Sequence, residues 1–205
     1  RQGLFVADFA YVMNEAIPGF IEKRPEQQPA RPAGFDYDVL NAEVLLTRAS
    51  AKNARLTLPD GMDYRYLVLP HQTGAVLSPS TLKKINELAD AGVTVIGPAA
   101  WAAAVPKMCQ GSLDAITRAD GQLPDIEFRN TSLETRFDWI HRRDGKRDIY
   151  FISNQGMNDA TANIVFRVAA SKPELWDAVT GKIRDLVAYK GTEDGRTEIP
   201  MAFAP

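Results

Sequence analysis

Hydrophobic positions divide the chain into a first part with mixed periodicity and a second part with period two. Residues 4–13 (LFVADFAYVM) are almost continuously apolar and rich in β-forming side chains. Such a run predicts a strand that is buried on both faces of a parallel sheet. Residues 18–34 follow with four prolines and two glycines, which predicts a long loop.

The segment after this loop has apolar side chains at helical spacing. They are Tyr37, Leu40, Val44 and Leu45. The spacing predicts a helix that continues to Arg48, with Asp36 or Asp38 as its N-terminal cap. A β-hairpin is predicted next, over residues 54–69, because the turn-forming sequence Pro-Asp-Gly separates two apolar arms.

A second helix is predicted where Ser78 and Pro79 form a capped helix start and Gly92 ends the helix. Its buried stripe consists of Leu82, Ile85, Leu88 and Ala89. Apolar strands precede and follow this helix, which is the pattern of a right-handed parallel crossover. We therefore expect an α/β domain with a mostly parallel sheet over residues 1–124.

Beyond this domain the pattern becomes purely β. Strands are predicted at residues 137–140, 148–153, 161–168, 174–176 and 183–188. Apolar and polar residues alternate in the third of these, so one face is expected to be buried and the other wet. The pattern predicts an antiparallel β-sandwich domain over residues 125–205. We expect this domain to be incomplete, because both ends of the chain look cut.

The composition narrows the classes of partner. The formal net charge is -2, and the one basic cluster, at residues 141–147, is interrupted by Asp144. A nucleic-acid partner is therefore not expected, because phosphate binding needs clustered Lys and Arg. No apolar run approaches the roughly 20 residues that span a bilayer, so no membrane partner is expected. The single cysteine, Cys109, excludes an internal disulfide and a cysteine-based zinc site.

Motifs of self-contained active sites are missing from the sequence. There is no Gly-x-Ser-x-Gly elbow, no Gly-x-Gly-x-x-Gly after the first strand and no phosphate loop. Cys109 has no histidine nearby in the sequence, so we interpret it as an inert thiol. An enzyme of amidotransferase type, which needs a nucleophilic cysteine at a strand–helix elbow, therefore ranks last among the hypotheses.

The best candidate substrate-binding residues are Glu15, Asp36, Asp38 and His71. In open α/β sheets ligands bind beyond the carboxyl ends of the strands, where Glu15 and His71 are expected. Carboxylates there can accept hydrogen bonds from sugar hydroxyls or hold a hard cation. The simpler alternatives are helix capping for the two aspartates, solvation for Glu15, and capping or exposure for His71.

Aromatic side chains give weaker evidence for a substrate-binding site. Trp101 and Trp139 can stack on a sugar ring, although a buried tryptophan is the commoner case. Trp176 is expected in the core of the sandwich, and Asp177 in a turn with Thr180.

Eight runs, in order and covering nearly the whole chain, resemble the region after the catalytic barrel in glycoside hydrolase family 106, the α-L-rhamnosidases. The runs are GFDYD (34–38), NAEVLLTR (41–48), LTLPDGM (56–62), YRYLVLP (64–70), AGVTVIGP (91–98), IHRR (140–143), DIYFISN (148–154) and PELWDAVTG (173–181). The resemblance implies a flavodoxin-like, glutamine-amidotransferase-like α/β domain followed by the start of a β-sandwich. One departure is the short segment 99–124, where family members carry a longer helical stretch.

The resemblance also implies a function for the parent enzyme. Such an enzyme hydrolyses terminal α-L-rhamnose with inversion, using carboxylates of a barrel that is missing from this chain. The implied partner is a rhamnose-containing carbohydrate, calcium is an implied cofactor of some members, and the implied location is periplasmic or extracellular, with the cytoplasm left open. A non-catalytic carbohydrate-binding or scaffold module is the alternative.

Overall fold

A computed structural model of the chain describes residues 2–17, 28–132, 135–169 and 172–205. The chain divides into two compact units. Unit 1 comprises Arg1–Gln122 and His141–Arg147, and unit 2 comprises Leu123–Ile140 and Asp148–Pro205. Of the predicted loop at 18–34, residues 18–27 lie outside the described part. The division into functional domains 1–124 and 125–205 stays a prediction.

Twenty regular elements follow one another along the described chain. In the first part they are β1 (Leu4–Phe5), β2 (Phe9–Val12), β3 (Tyr37–Leu40), α1 (Ala42–Thr47), β4 (Ser50–Lys52), β5 (Arg55–Thr57), β6 (Asp63–Tyr64), β7 (Tyr66–Val68), α2 (Pro79–Asp90), β8 (Thr94–Ile96), a 3₁₀ turn (Ala99–Trp101) and α3 (Leu113–Ala119). In the second part they are β9 (Ile126–Arg129), β10 (Phe137–Asp144), β11 (Arg147–Asn154), β12 (Ala160–Phe166), β13 (Glu174–Trp176), β14 (Ile183–Asp185), β15 (Lys190–Gly191) and β16 (Thr197–Phe203).

A parallel sheet of four strands, in the order β3-β2-β7-β8, organises unit 1. One face carries Ala10, Leu67 and Val95, which pack against residues of α1 and α2. The other face carries Phe9 and Ile96, together with further aromatic side chains of the strands. Both faces are dry, which explains why the strand sequences are apolar without alternation.

The helices confirm part of the sequence prediction and correct another part. Ser78 caps α2, since its side chain accepts a hydrogen bond from the Thr81 N–H group, as predicted. The helix predicted to run to Arg48 exists only as α1, and its predicted start and cap at Asp36 or Asp38 are wrong, because residues 37–40 form strand β3. The cap of α1 is instead Asn41. The helical spacing from Tyr37 to Leu45 was misleading, because pairing with β2 places the first half of the segment in the sheet.

The first predicted strand is also divided in two. β1 pairs antiparallel with β10, through Leu4↔Arg143 and Phe5↔Arg142, whereas β2 enters the parallel sheet. The buried Asp8 lies between the two strands, and its carbonyl oxygen accepts hydrogen bonds from the Arg65 and Tyr66 N–H groups. Apolar content alone therefore did not reveal that the run serves two sheets.

Unit 2 is built from antiparallel strands, as the period-two pattern predicted. β12 lies between β9 and β16, and its residues Ala162, Ile164 and Phe166 point into a hydrophobic core. Phe137 of β10 enters the same core and stacks on Phe128 at 4.7 Å between ring centroids. The intervening side chains of β12 lie on the opposite face of the sheet.

The expected fold class, a mostly parallel flavodoxin-like or glutamine-amidotransferase-like α/β domain followed by a sandwich, is wrong. In the described part of the chain, the three α-helices hold only 6, 12 and 7 residues, and four of the five sheets consist of antiparallel pairs. The structure is β-rich because most connections of unit 1 are loops or short antiparallel strands rather than covering helices. None of the described helices is long and apolar enough to cross a membrane.

Candidate functional site

The carboxyl edge of the parallel sheet brings two of the four predicted site residues to neighbouring strands. Glu15 follows the end of β2, and His71 follows the end of β7. These strands pair directly, with Tyr11 opposite Val68. Both side chains are partly buried. The edge is therefore the candidate ligand edge expected for a parallel sheet.

The Glu15 carboxylate fastens the start of α2. Its Oε2 atom accepts a hydrogen bond from the Ser78 N–H group at 2.7 Å. The neighbouring Asn14 accepts hydrogen bonds through Oδ1 from Val76 at 2.8 Å and from Ala16 at 3.1 Å. A carboxylate at a helix start is favourable, because helix N–H groups there carry partial positive charge. Glu15 thus orients the loop before α2.

His71 is held by its own backbone. Its Nδ1 atom lies 2.8 Å from the Leu69 carbonyl oxygen, and a carbonyl only accepts, so Nδ1 carries the hydrogen of this bond. The other ring nitrogen, Nε2, is left to bind a ligand group. Trp101 supports the same loop, because its indole N–H donates to the Pro70 carbonyl at 2.9 Å. That bond accounts for Trp101 without a role in stacking on a sugar.

Asp36 and Asp38 occupy different places from Glu15 and His71. Asp36 precedes β3, is fully buried and lies at the amino end of the sheet, where its carbonyl oxygen accepts a bond from the Phe9 N–H group. Asp38 lies within β3, and its Oδ2 atom accepts a hydrogen bond from the Tyr64 hydroxyl at 2.8 Å. The structure therefore does not bring the four predicted residues into one cluster. A substrate contact for either aspartate stays a prediction.

Buried tyrosines fasten both faces of the parallel sheet. Burial, with the hydrogen bond to Asp38 as the second cause, raises the pKa of Tyr64 far above its ordinary value. Burial likewise raises the pKa of Tyr66, whose hydroxyl donates to Asp120 at 2.9 Å. These phenols stay protonated and act as hydrogen-bond donors, and the sequence pattern did not indicate their role.

The described residues offer no metal centre. No group of three or more His, Cys, Asp or Glu side chains among them is placed to hold an ion. Calcium takes about six to eight oxygen ligands, whereas Glu15 accepts a hydrogen bond from an N–H group and Asp38, in a different place, accepts one from a hydroxyl group. These residues do not fit a calcium site. Cys109 is exposed.

The predictions for Trp139, Trp176 and Asp177 have different outcomes in the structure. Trp139 is buried in the core of unit 2. The prediction that Trp176 belongs to this core is wrong, because 54% of its surface is exposed. It lies in the two-stranded sheet of β13 and β14, which has no inner face large enough to cover it. Asp177 forms a turn by accepting from the Thr180 N–H group at 3.0 Å, as predicted.

A polar network on unit 2 was not found from the sequence. It comprises Glu127, Arg129, Asn163, Lys190, Asp194, Arg196 and Glu198, and we call it the outer-face network. Arg129 binds Glu127 through two hydrogen bonds of 2.9 Å, and Arg196 lies 3.1 Å from the same carboxylate. The Arg129 hydrogen bond lowers the pKa of Glu127. Polar residues alternating with Ile126 and Phe128 were the available signal.

Comparisons with known proteins found similar proteins that match nearly the whole of this chain. The structure titled "Structure of Rhamnosidase from Novosphingobium sp. PP1Y" has a similar fold, with a TM-score of 0.80 and 22% identity. The similarity covers 99% of this chain and 22% of that one. A protein of Formosa agariphila named "Putative beta-glucuronidase" is 26% identical over 98% of this chain and 18% of its own length. The chain thus spans only about a fifth of these relatives.

The family comparison covers most of the chain. The model of glycoside hydrolase family 106, described as alpha-L-rhamnosidase, matches residues 1–110 and 102–191. This agrees with the resemblance carried by the eight sequence runs. The chain belongs to glycoside hydrolase family 106, the alpha-L-rhamnosidase family.

Proposed function

We propose that the chain is a supporting part of a longer glycoside hydrolase that removes terminal α-L-rhamnose from a carbohydrate with inversion. In this proposal the two catalytic carboxylates belong to a barrel elsewhere in the same polypeptide. The segment supplies the edge formed by Glu15 and His71 to the substrate. The family membership of the chain and its small share of the relatives' length support this proposal.

The hydrogen bonds that Glu15 and Asp38 already accept carry the proposal. An inverting enzyme needs two carboxyl groups about 6.5–9.5 Å apart, with room for a water molecule between them. Glu15 accepts from the Ser78 N–H group and Asp38 from the Tyr64 hydroxyl. Carboxylates that hold the fold in this way are poor candidates for a general acid and base. A supporting role therefore fits these residues better than a catalytic one.

Within this role, His71 is the more direct substrate contact. Its Nδ1–H group is used by the Leu69 carbonyl, so a neutral ring presents Nε2 as an acceptor for a sugar hydroxyl. Glu15 acts through the loop that leads into α2. Replacing either residue should raise KM for the rhamnoside more than it lowers kcat.

Hydrolysis of p-nitrophenyl α-L-rhamnoside tests the proposal. We expect release of p-nitrophenol by a longer protein that contains this segment and none by the 205-residue chain alone. Product analysis by ¹H NMR should show the β anomer of L-rhamnose first, because inversion changes the configuration at the anomeric carbon. Activity of the 205-residue chain would contradict the proposal that the catalytic pair lies elsewhere.

The edge residues are tested separately in the longer protein. His71→Ala should raise KM, whereas the matched substitution of the exposed Gln155 in unit 2, Gln155→Ala, should leave KM unchanged. Unchanged KM and kcat for both His71→Ala and Glu15→Gln would show that the edge does not bind substrate. Asp38→Asn tests the remaining prediction for β3, and a chelator such as EDTA tests the calcium requirement.

The alternative, a non-catalytic carbohydrate-binding module, has one observation in its favour. Unit 2 carries an exposed tyrosine, Tyr189, beside polar side chains of the outer-face network. A longer protein that binds rhamnosides without hydrolysing them would favour this alternative.

A further inference from the structure

A groove on unit 2 has the size of a small ligand site. It has a volume of about 310 Å³ and lies along β12, β15 and β16. Its lining residues are Asn163, Ala188, Tyr189, Lys190, Glu198 and Pro200. Ligand pockets in proteins begin at roughly 300 Å³, so the groove has room for one sugar ring rather than for a long chain.

The polar groups of the groove converge on one carboxylate. Glu198 Oε1 accepts a hydrogen bond from the Asn163 amide at 3.2 Å and lies 3.4 Å from the Lys190 ammonium. Its Oε2 atom lies 3.7 Å from the Arg129 guanidinium. The Glu198 side chain is only 11% exposed, so its oxygens are held in place. A fixed carboxylate beside an ammonium offers an acceptor and donors to adjacent hydroxyl groups.

The apolar groups lie on the same groove. Tyr189 is 40% exposed, and Ala188 and Pro200 line the groove with it. A tyrosine ring offers an apolar face and a polar tip at a wet surface. A pyranose matches this combination, because it has C–H groups on its ring faces and hydroxyl groups at its edges.

The charge of the outer-face network selects among sugars. Three carboxylates, Glu127, Asp194 and Glu198, face three cations, Arg129, Lys190 and Arg196, through the ion pairs of the network. The network is therefore neutral as a whole. An anionic sugar would bring an additional negative charge to the Glu198 carboxylate, whereas a neutral sugar adds none.

We propose that this groove binds one neutral pyranose, as a site additional to the one that cleaves the glycosidic bond. The sugar stacks on Tyr189, and its hydroxyl groups replace water at Glu198, Asn163 and Lys190. The ligand class rests on the proposed function, which makes a carbohydrate the substrate. The position of the site on unit 2 rests on the groove itself.

Titration of the 205-residue chain with methyl α-L-rhamnopyranoside, followed by ligand-observed saturation-transfer NMR, tests this site. Tyr189→Ala should weaken binding by about tenfold, since stacking on an aromatic ring is lost. The matched control is Val187→Ala, which changes a side chain that is 88% exposed and does not line the groove. It should bind like the wild type.

Three results would overturn the site. They are no binding to the wild-type chain, equal binding by the Tyr189 and Val187 variants, and tighter binding of methyl β-D-glucuronide than of the neutral rhamnoside. Circular dichroism and the melting temperature should show that the Tyr189 variant is folded. The site and the proposed function can fail separately. If a longer protein binds the sugar in this groove but does not hydrolyse p-nitrophenyl rhamnoside, only the proposed function is contradicted.

Discussion

The parallel sheet of unit 1 and the β15-β16-β12-β9 sheet of unit 2 use polar side chains in opposite ways. In unit 1 both faces are covered, and polar groups such as Tyr64 and Asp38 satisfy each other inside the fold. In unit 2 one face is dry, whereas the other carries the outer-face network and a groove. An antiparallel sheet tolerates water on one face, whereas a parallel sheet rarely does.

This difference indicates where ligands can be bound. A sheet covered on both faces leaves only its edges for a ligand, which directs attention to Glu15 and His71. A sheet with a wet face offers that face as well, which directs attention to Glu198 and Tyr189. Polar residues in a covered sheet are expected to matter for stability, and those on a wet face for binding.

The largest expected effect is the loss of stability when buried side chains of the parallel sheet are truncated. It tests whether both faces of this sheet belong to the hydrophobic core. Leu67→Ala and Ile96→Ala remove side chains from opposite faces, and each should lower the free energy of unfolding by about 2–5 kcal/mol. On β12, Ile164→Ala should cost as much, but Thr161→Ala, on the exposed face, should change it by less than about 0.5 kcal/mol. Urea unfolding measures all four. A small effect at Ile96 would show that one face of the parallel sheet is not core.

The tyrosine hydroxyls provide the next test. Tyr64→Phe removes the donor to Asp38, which is partly buried, and should cost about 1–3 kcal/mol. Tyr66→Phe removes the donor to Asp120, which is exposed and regains water, so the cost should be about 0.5–1.5 kcal/mol. Thermal unfolding of both variants compares them. A larger loss for Tyr66→Phe would contradict the role of burial.

A smaller effect is expected at the start of α2. Ser78→Ala removes the side-chain cap of the helix and should cost about 1 kcal/mol. Glu15→Gln keeps an acceptor oxygen for the Ser78 N–H group and removes only the charge, so we expect about 0.3–1 kcal/mol. Chemical denaturation measures the difference, with Lys83→Ala at an exposed position of α2 as control. If the Glu15 variant costs nothing, the carboxylate does not fasten the helix start.

The smallest expected effect is the loss of stability in acid that comes from the ion pair between Glu127 and Arg129. The Arg129 hydrogen bond lowers the pKa of Glu127 below the ordinary value of 4.5. A folded-state pKa below the unfolded-state value stabilises the fold above pH 4.5, and this stabilisation is lost as the pH falls through the lower folded-state pKa. For a pair whose side chains are 39% and 37% exposed, we expect this contribution to be less than about 1 kcal/mol.

Urea midpoints between neutral pH and pH 3 measure this acid dependence. Glu127→Gln should flatten the loss of stability below pH 4.5, whereas Glu193→Gln, at an exposed loop position, should leave it unchanged. An identical acid profile for the wild type and the Glu127 variant would contradict the proposed contribution of this ion pair.

The prediction of elements succeeded where local chemistry decides. Ser78 and Pro79 mark the start of helix α2, and Gly92 marks its end. Capping and backbone conformation act at these positions, and both depend on neighbours in the sequence. It failed at residues 37–40, where a helical spacing of apolar residues coincides with a strand. A strand is selected there by pairing with β2, a partner remote in sequence that the pattern of four residues cannot reveal.

Site prediction shows the same limit. The sequence placed Glu15 and His71 after strands, and the parallel pairing of β2 and β7 makes those strands neighbours. Asp36 and Asp38 were equally acidic candidates, but one precedes its strand and the other lies within it. The bounds of a strand decide whether a side chain lies at its amino end, within it or at its carboxyl end, and the apolar pattern did not give the bounds of β3.

Sequence alone was sufficient for the family, the capped helix α2 and the antiparallel character of the second half, because ordered motifs, caps and period two are local signals. The folded structure was needed to establish which strands pair, which polar groups are covered, and that the chain is β-rich rather than flavodoxin-like. It also brings together the outer-face network from β9, β12, β15, β16 and the loop between the last two. Burial and hydrogen bonding between strands distant in sequence depend on the assembled sheets, and no local pattern contains that information.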